Sequence, residues 1–170
     1  GGIGEADNQK HKGVAMEYIR KSEKVLRTYR RLKYSIRTLE KRKKRIISMG
    51  GPSEKVTASI DESGIPGTGC MIPAEVLISE LYEIEQALKA TREELKIVDD
   101  VLRTISKEGV WWYGHLLRDW YIHKKSKREL EKKYHTSSRN VYNMRNRALQ
   151  EFAIGYFGLP AAQKKEEGTN

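Results

Sequence analysis

The sequence predicts an all-α fold: a long antiparallel helical hairpin (coiled coil) followed by a small C-terminal helix-turn-helix domain. Two apolar series of equal length follow the heptad spacing of paired helices. A stretch rich in Gly, Ser and Pro separates them, and neither helix can continue through it. Signals for two short capped helices follow near the C-terminus.

The two apolar series justify the helical hairpin. The first comprises Tyr18, Ser22, Val25, Tyr29, Leu32, Ile36, Leu39, Lys43 and Ile46, and the second comprises Leu77, Leu81, Ile84, Leu88, Thr91, Leu95, Val98, Leu102 and Ile105. Each series would be about 42 Å long as an α-helix. Antiparallel pairing would bring Ile46 near Leu77 and Tyr18 near Ile105.

The charges of the two predicted helices are of opposite sign. Residues 14–49 contain 13 basic and 3 acidic residues, whereas residues 75–108 contain 5 basic and 9 acidic residues. Opposite flanking charges favour pairing of the two helices with each other. Pairing of each helix with its copy in a second chain is the alternative, and a homo-oligomer built on the hairpin remains open.

These features divide the chain into four predicted parts. Residues 1–13 are expected to be disordered or to derive from an expression vector. Residues 14–108 form the hairpin, with a long loop at about 50–74. Residues 109–155 form the helix-turn-helix domain, and residues 156–170 form a flexible tail.

Composition limits the classes of function. A formal net charge of +10 and a pI near 9.6 indicate a polyanionic partner. The single cysteine, Cys70, cannot form a disulfide within the chain or a Cys/His zinc finger. No catalytic constellation is visible, so we expect no enzyme, no cofactor and no metal. No apolar run or signal peptide indicates a membrane, so a soluble intracellular protein is expected.

Local signals place the two short helices. Ser126 and Glu129 match a capping box, which predicts a helix through about Tyr134. The sequence "HTSS" breaks that helix, and Ser137 or Ser138 can cap the next one. This last helix is predicted to run to about Phe152 or Ala153.

The last helix has the two faces that a helix-turn-helix requires. Val141, Met144, Ala148 and Phe152 share an apolar face, which Leu130 and Tyr134 of the preceding helix can contact. The other face would enter the major groove of duplex DNA. Ser138, Arg139 and Asn143 are the predicted base-reading residues, since Arg can pair with guanine and Asn with adenine. The other predicted DNA-binding residues, mainly for the DNA backbone, are Ser137, Asn140, Tyr142, Asn146, Arg147, Lys124, Lys125, Lys127 and Arg128.

The stretch "LLRDWYIHKKSKRELEKKYHTSSRNVYNMRNRALQEF" resembles the C-terminal domain of phage-encoded transcriptional regulators of the RinA/ArpU type. That domain carries a helix-turn-helix similar to region 4 of sigma-70 factors. Most of the likeness lies in S-x-R-x-V-Y-x-x-R-x-x-A-L, residues 137–149. The resemblance implies a sequence-specific duplex-DNA-binding regulator, an activator of phage late genes in the cytoplasm of a bacterial host cell. Direct contact with host RNA polymerase remains open.

Two other functions fit the sequence. One is a DNA-recognition subunit of phage DNA packaging, similar to a small terminase. A ring-shaped oligomer in solution would favour this function. The other is a nonspecific basic coiled-coil nucleic-acid-binding protein, which would bind unrelated duplexes equally or prefer RNA.

Overall fold

A computed structural model describes residues 14–50 and 72–162. Within these ranges all regular structure is helical and no strand occurs, which confirms the all-α class. Parts of the chain predicted as an N-terminal segment (1–13), a loop (51–71) and a tail (163–170) lie outside the described residues. The helices are α1 (Met16–Gly50), α2 (Ala74–Glu108), α3 (Trp112–Leu117), a π-helical turn (Arg118–Ile122), α4 (Lys127–Tyr134), α5 (Ser138–Phe157) and α6 (Leu159–Ala162).

The chain divides into two compact units, and the division differs from the predicted domains. The first, called the terminal unit, contains residues up to Leu32 and from Glu94 onward; the second, called the middle unit, is Lys33–Glu93. Helices α1 and α2 contribute residues to both. Within the terminal unit, the first part of α1 and the last part of α2 pack with the C-terminal helices, so residues on both sides of the predicted boundary at 109 belong to one unit.

In the middle unit, α1 packs against α2 along the predicted apolar series. Ile46, Leu77, Ile84 and Leu88 form a buried cluster, with Ile36, Leu39 and Leu81 packed against it. Ion pairs join the two helices beside this cluster: Lys43 Nζ lies 3.1 Å from Glu85 Oε1, and Arg42–Glu80 and Arg92–Glu40 also pair. Such exposed pairs contribute about 0–1 kcal/mol each, so the apolar cluster supplies most of the stability.

In the terminal unit, the buried face of α1 is wider than the predicted series. Leu26 is completely buried although it lies outside the heptad pattern, whereas Val25 is only half-buried. The reason is that α1 has two neighbours here. Tyr29 donates a hydrogen bond to Asp99 of α2, and Glu23 accepts one from Tyr121 of the π-helical turn at 2.7 Å.

Gly114 allows α3 to lie directly against α2. A Cβ at this position would overlap the Leu102 carbonyl oxygen and lie 2.7 Å from Ser106 Oγ. The Gly114 amide instead donates a hydrogen bond to Ser106 Oγ at 2.8 Å. Only glycine, which has no side chain, lets two backbones approach this closely.

Helix α5 extends further than the sequence predicted. It continues through Phe157 rather than ending at Phe152 or Ala153, and α6 follows, so the predicted flexible tail from residue 156 begins too early. Tertiary contacts stabilise the extension. The Tyr156 hydroxyl donates to Glu94, and the rings of Phe157 and Tyr18 lie 5.4 Å apart.

We expect Gly114→Ala to lower the free energy of unfolding by about 1–3 kcal/mol or more, because the added methyl must separate α3 from α2. Thermal or urea unfolding measures the change. Gly50→Ala is the matched control, since among the described residues a Cβ there meets only Leu77 Cδ1, at 4.0 Å. Equal effects of both substitutions would contradict the proposed close approach.

Candidate nucleic-acid interface

Helices α4 and α5 are joined by three residues and begin with defined caps. Ser126 Oγ accepts a hydrogen bond from the Glu129 amide at 3.3 Å, and the Glu129 carboxylate accepts one from the Ser126 amide at 2.7 Å. The predicted capping box is therefore confirmed. The hydrogen bonds from Ser126 also lower the pKa of Glu129.

The turn between α4 and α5 depends on a left-handed residue. His135 has φ 48° and ψ 49°, and its amide donates to the Glu131 carbonyl, as the Thr136 amide does at 3.1 Å. Ser137, rather than Ser138, caps α5: its hydroxyl accepts from the Asn140 amide at 3.3 Å. Asn140 Nδ2 donates to Thr136 Oγ1 at 2.6 Å. The side chains of Ser137 and Asn140 thus help to form the turn.

One face of α5 is held in the core of the terminal unit. Val141 is buried with Leu116 and Leu130, and Tyr134 and Met144 pack against this cluster. Ala148, Leu149, Phe152 and Ala153 continue the buried face. The predicted contact of Leu130 and Tyr134 with the apolar face of the last helix is confirmed.

The opposite face of α5 is exposed and carries most of the predicted base-reading side chains. Arg139, Asn143, Asn146 and Arg147 are exposed, and Ser138 is half-buried at the first turn. Positions 139, 143, 146 and 147 recur every three or four residues, so they lie on one side of the helix. The face is therefore a polar strip of amides and guanidinium groups with its backbone fixed from behind.

Tyr142 lies at the edge of this face, in a layer of aromatic rings and cations. Its ring meets the Trp120 ring edge-on at 5.3 Å between centroids. Lys127 Nζ lies 4.8 Å from the Tyr142 centroid, and the Arg145 guanidinium lies 4.8 Å from the Trp120 centroid. Cation–π attraction of this kind contributes about 0.5–2 kcal/mol, so Tyr142 and Lys127 help to join α4 to α5. Arg145 and Trp120 were not among the predicted DNA-binding residues.

Asp119 of the π-helical turn binds one of the predicted DNA-binding residues. Its side chain is only 4% exposed, and Lys125 Nζ lies 3.2 Å from Oδ1. Lys133 pairs with the same carboxylate, the Tyr134 hydroxyl donates to Oδ2 at 2.9 Å, and His123 Nδ1 lies 3.1 Å from Oδ1. Lys125 is thus engaged inside the unit, whereas Lys124 and Arg128 are exposed.

The donors around Asp119 also fix its charge. Burial alone would raise the pKa of Asp119, but hydrogen bonds from Lys133, His123, Tyr134 and Lys125 together hold the pKa well below its ordinary value of 3.8. The hydrogen bond to Asp119 raises the pKa of Lys125 in turn. Composition identified Lys125 as basic but gave no signal that a buried carboxylate two turns earlier would bind it.

A concavity of about 340 Å³ borders the exposed face near the turn. It is lined by Trp111, Trp112, Tyr134, His135, Thr136, Asn140, Met144 and Arg147. Trp111 is 63% exposed, and its ring stacks with that of Tyr134 at 6.3 Å. Asn140 and Arg147 therefore lie beside an aromatic surface that was not among the predicted features of the interface.

The described residues form neither a metal-ligand cluster nor a membrane-spanning helix. Among the described residues, no group of three His, Cys, Asp or Glu side chains converges as metal ligands would. None of the described helices is both long and apolar enough to cross a membrane. Comparison of the chain with protein-family models, curated proteins and solved structures found no match.

We expect Asp119→Asn to lower the free energy of unfolding at neutral pH by about 1–3 kcal/mol, because Lys125 and Lys133 lose their charged acceptor. The folded-state pKa lies below the ordinary value, so the contribution of Asp119 is fully present above about pH 4 and declines as the pH falls further. The free energy of unfolding of the variant, measured with urea, should therefore fall less than that of the wild type as the pH is lowered from neutral to acidic. Asp100→Asn, at a carboxylate 48% exposed, is the control. Parallel pH profiles for wild type and Asp119→Asn would contradict this role.

Proposed function

We propose that the protein binds duplex DNA sequence-specifically through a helix-turn-helix formed by α4 and α5. One observation carries the proposal: α5 is buried along Val141, Ala148 and Phe152 while Arg139, Asn143 and Arg147 stand exposed on its other side. A recognition helix needs this division, because it must be fixed from behind while its polar side chains reach base edges.

The residue types on the exposed face suit base recognition. Arg bonds the O6 and N7 atoms of guanine in bidentate fashion, and Asn bonds the N6 and N7 atoms of adenine. Arg139 and Asn143 are one helical turn apart, about 6 Å along the axis, so they would meet neighbouring base pairs. Asn146 and Arg147 extend the same face by a further turn.

Basic residues around this face would contact phosphates. Lys124, Lys127, Arg128 and Lys132 are exposed on α4 or just before it. Phosphate contacts position a protein on DNA without reading its sequence. Lys125 is better assigned to the Asp119 cluster, where it stabilises the fold that presents the others.

The biological setting follows from the resemblance to RinA/ArpU-type regulators. We assign the chain to transcriptional control of phage late genes, as an activator in the bacterial cytoplasm, with RNA polymerase as a further partner. The antiparallel pairing of α1 with α2 belongs to the same proposal. Within the middle unit it is supported by the pairs Glu40–Arg92 and Lys43–Glu85, in which residue numbers rise along α1 as they fall along α2.

Selection of bound duplexes from a random DNA pool at near-physiological salt tests this function. The wild type should enrich a defined motif, and an Arg139→Ala, Asn143→Ala double variant should lose it. Equal binding of unrelated duplexes, or preference for RNA, would instead indicate a nonspecific basic protein. A ring-shaped oligomer in solution would favour a DNA-packaging subunit.

We expect Arg139→Ala alone to relax discrimination at one base position by about 1–3 kcal/mol, because one bidentate pair is lost. Affinities for the selected site and its single-base variants measure this. Arg103→Ala removes an arginine that is 72% exposed on α2 and should leave discrimination unchanged. If Arg139→Ala weakened every sequence equally, α5 would not be the reading helix.

We expect Arg128→Ala to weaken binding to all sequences alike and to reduce the slope of log K against log salt by about one. Titrations at several salt concentrations measure the slope. Lys125→Ala should instead lower the thermal stability of the protein, because it removes the ion pair with Asp119. The assignment of these two residues fails if Arg128→Ala lowers stability while Lys125→Ala changes only the salt slope.

A further inference from the structure

The middle unit exposes large apolar side chains where α1 ends and α2 begins. Ile47 is 53% exposed on α1, and Ile78 and Tyr82 are 66% and 63% exposed on α2. These positions belong to charged helices whose other outward residues are mostly Lys, Arg and Glu. A cluster of exposed apolar side chains at one site indicates an interaction surface rather than ordinary solvent exposure.

The exposed residues border a groove of about 370 Å³ between the two helices. Among the described residues its lining consists of glycine, alanine, leucine and isoleucine: Ile46, Ile47, Gly50, Ala74, Leu77, Ile78 and Leu81. Ile46 and Leu77 are buried and form its floor, while Ile47 and Ile78 stand on its two walls. The groove, with Tyr82 beside it, is called the apolar groove below.

The two edges of the apolar groove carry opposite charge. Lys44 lies one turn before Ile47 on α1, within the basic run Lys41–Arg45. Glu75 lies one turn before Ile78 on α2 and Glu83 follows, whereas Glu85 already pairs with Lys43 of α1. Both Lys44 and Glu75 are exposed, so one wall is rimmed by cations and the other by anions.

A surface with this division complements itself. A two-fold rotation places the basic rim of one copy against the acidic rim of the other and the apolar walls against each other. A lipid surface would match only the basic rim, and a basic or acidic peptide only one rim. We propose that the apolar groove is a symmetric interface with a second copy of this chain. The inference does not rest on DNA binding.

Sedimentation equilibrium of the full chain tests the interface. We expect a monomer–dimer equilibrium for the wild type, and an increase of at least about tenfold in its dissociation constant for Ile78→Glu, because a buried unpaired carboxylate would face the partner. Val76→Glu is the matched control. Val76 is also exposed, at 52%, but two residues away on a helix it points to a different side. Circular dichroism checks that both variants keep their helices.

A charge exchange separates the symmetric arrangement from plain apolar association. Lys44→Glu and Glu75→Lys should each weaken the dimer, since each sets like charges against each other, and the double variant should restore it. Two results would overturn the proposal: a wild type that stays monomeric up to high micromolar concentration, or a dimer that Ile78→Glu and Val76→Glu weaken equally.

Discussion

Removing a carboxylate from water is costly unless donors replace the lost hydration, and Asp119 meets this condition with donors from the connection that follows it and from α4. It lies in the π-helical turn, and it binds Lys125 of the following connection and Tyr134 at the end of α4. The Lys125 amide also donates to the Asp119 carbonyl at 2.9 Å. Both the backbone and the side chain of Lys125 thus hold the connection between the π-helical turn and α4 in place. Since α4 supports the apolar face of α5, Asp119 helps to hold the helix on which Arg139 and Asn143 are exposed.

The π-helical turn has a second function, which is to connect the C-terminal helices to the long ones. Arg118 donates to Asp99 at 2.8 Å, and Asp99 also accepts a hydrogen bond from Tyr29 of α1. Burial and the hydrogen bond to Glu23 raise the pKa of Tyr121, so its hydroxyl stays a donor at any physiological pH. The widened turn presents Arg118 to α2 and Tyr121 to α1, while Asp119 faces α4. π-helical turns are uncommon, and this one contacts three other helices, α1, α2 and α4.

What could be predicted from the sequence depended on local spacing. The capping box at Ser126, the buried face of α5 and the apolar series of α2 follow from residue types three or four positions apart, and the structure has all of them. Contacts between distant segments left no such signal. Leu26 lies outside the heptad pattern, and Gly114 is an unremarkable residue in the sequence until α2 lies against it.

The same distinction applies to the candidate interface. Periodicity sufficed to separate the exposed Arg139 and Asn143 from the buried Val141, because both faces belong to one helix. It did not suffice for Lys125, whose surroundings depend on Asp119 and α4. The end of α5 was missed for a related reason, since residues beyond Ala153 are held by Glu94 and Tyr18, which lie far away in the sequence.

The anchoring of α5 at its far end has a consequence for how such a protein can evolve. Residues 109–157 could be mistaken in sequence for a transferable cassette, yet their partners Glu23, Glu94 and Asp99 are supplied by α1 and α2. A recombination event that transferred the cassette alone would leave Tyr121 and Tyr156 without acceptors and Arg118 without its carboxylate. The parts of α1 and α2 within the terminal unit are therefore constrained together with the C-terminal helices, whereas the exposed Arg139 and Asn143 take part in none of these contacts.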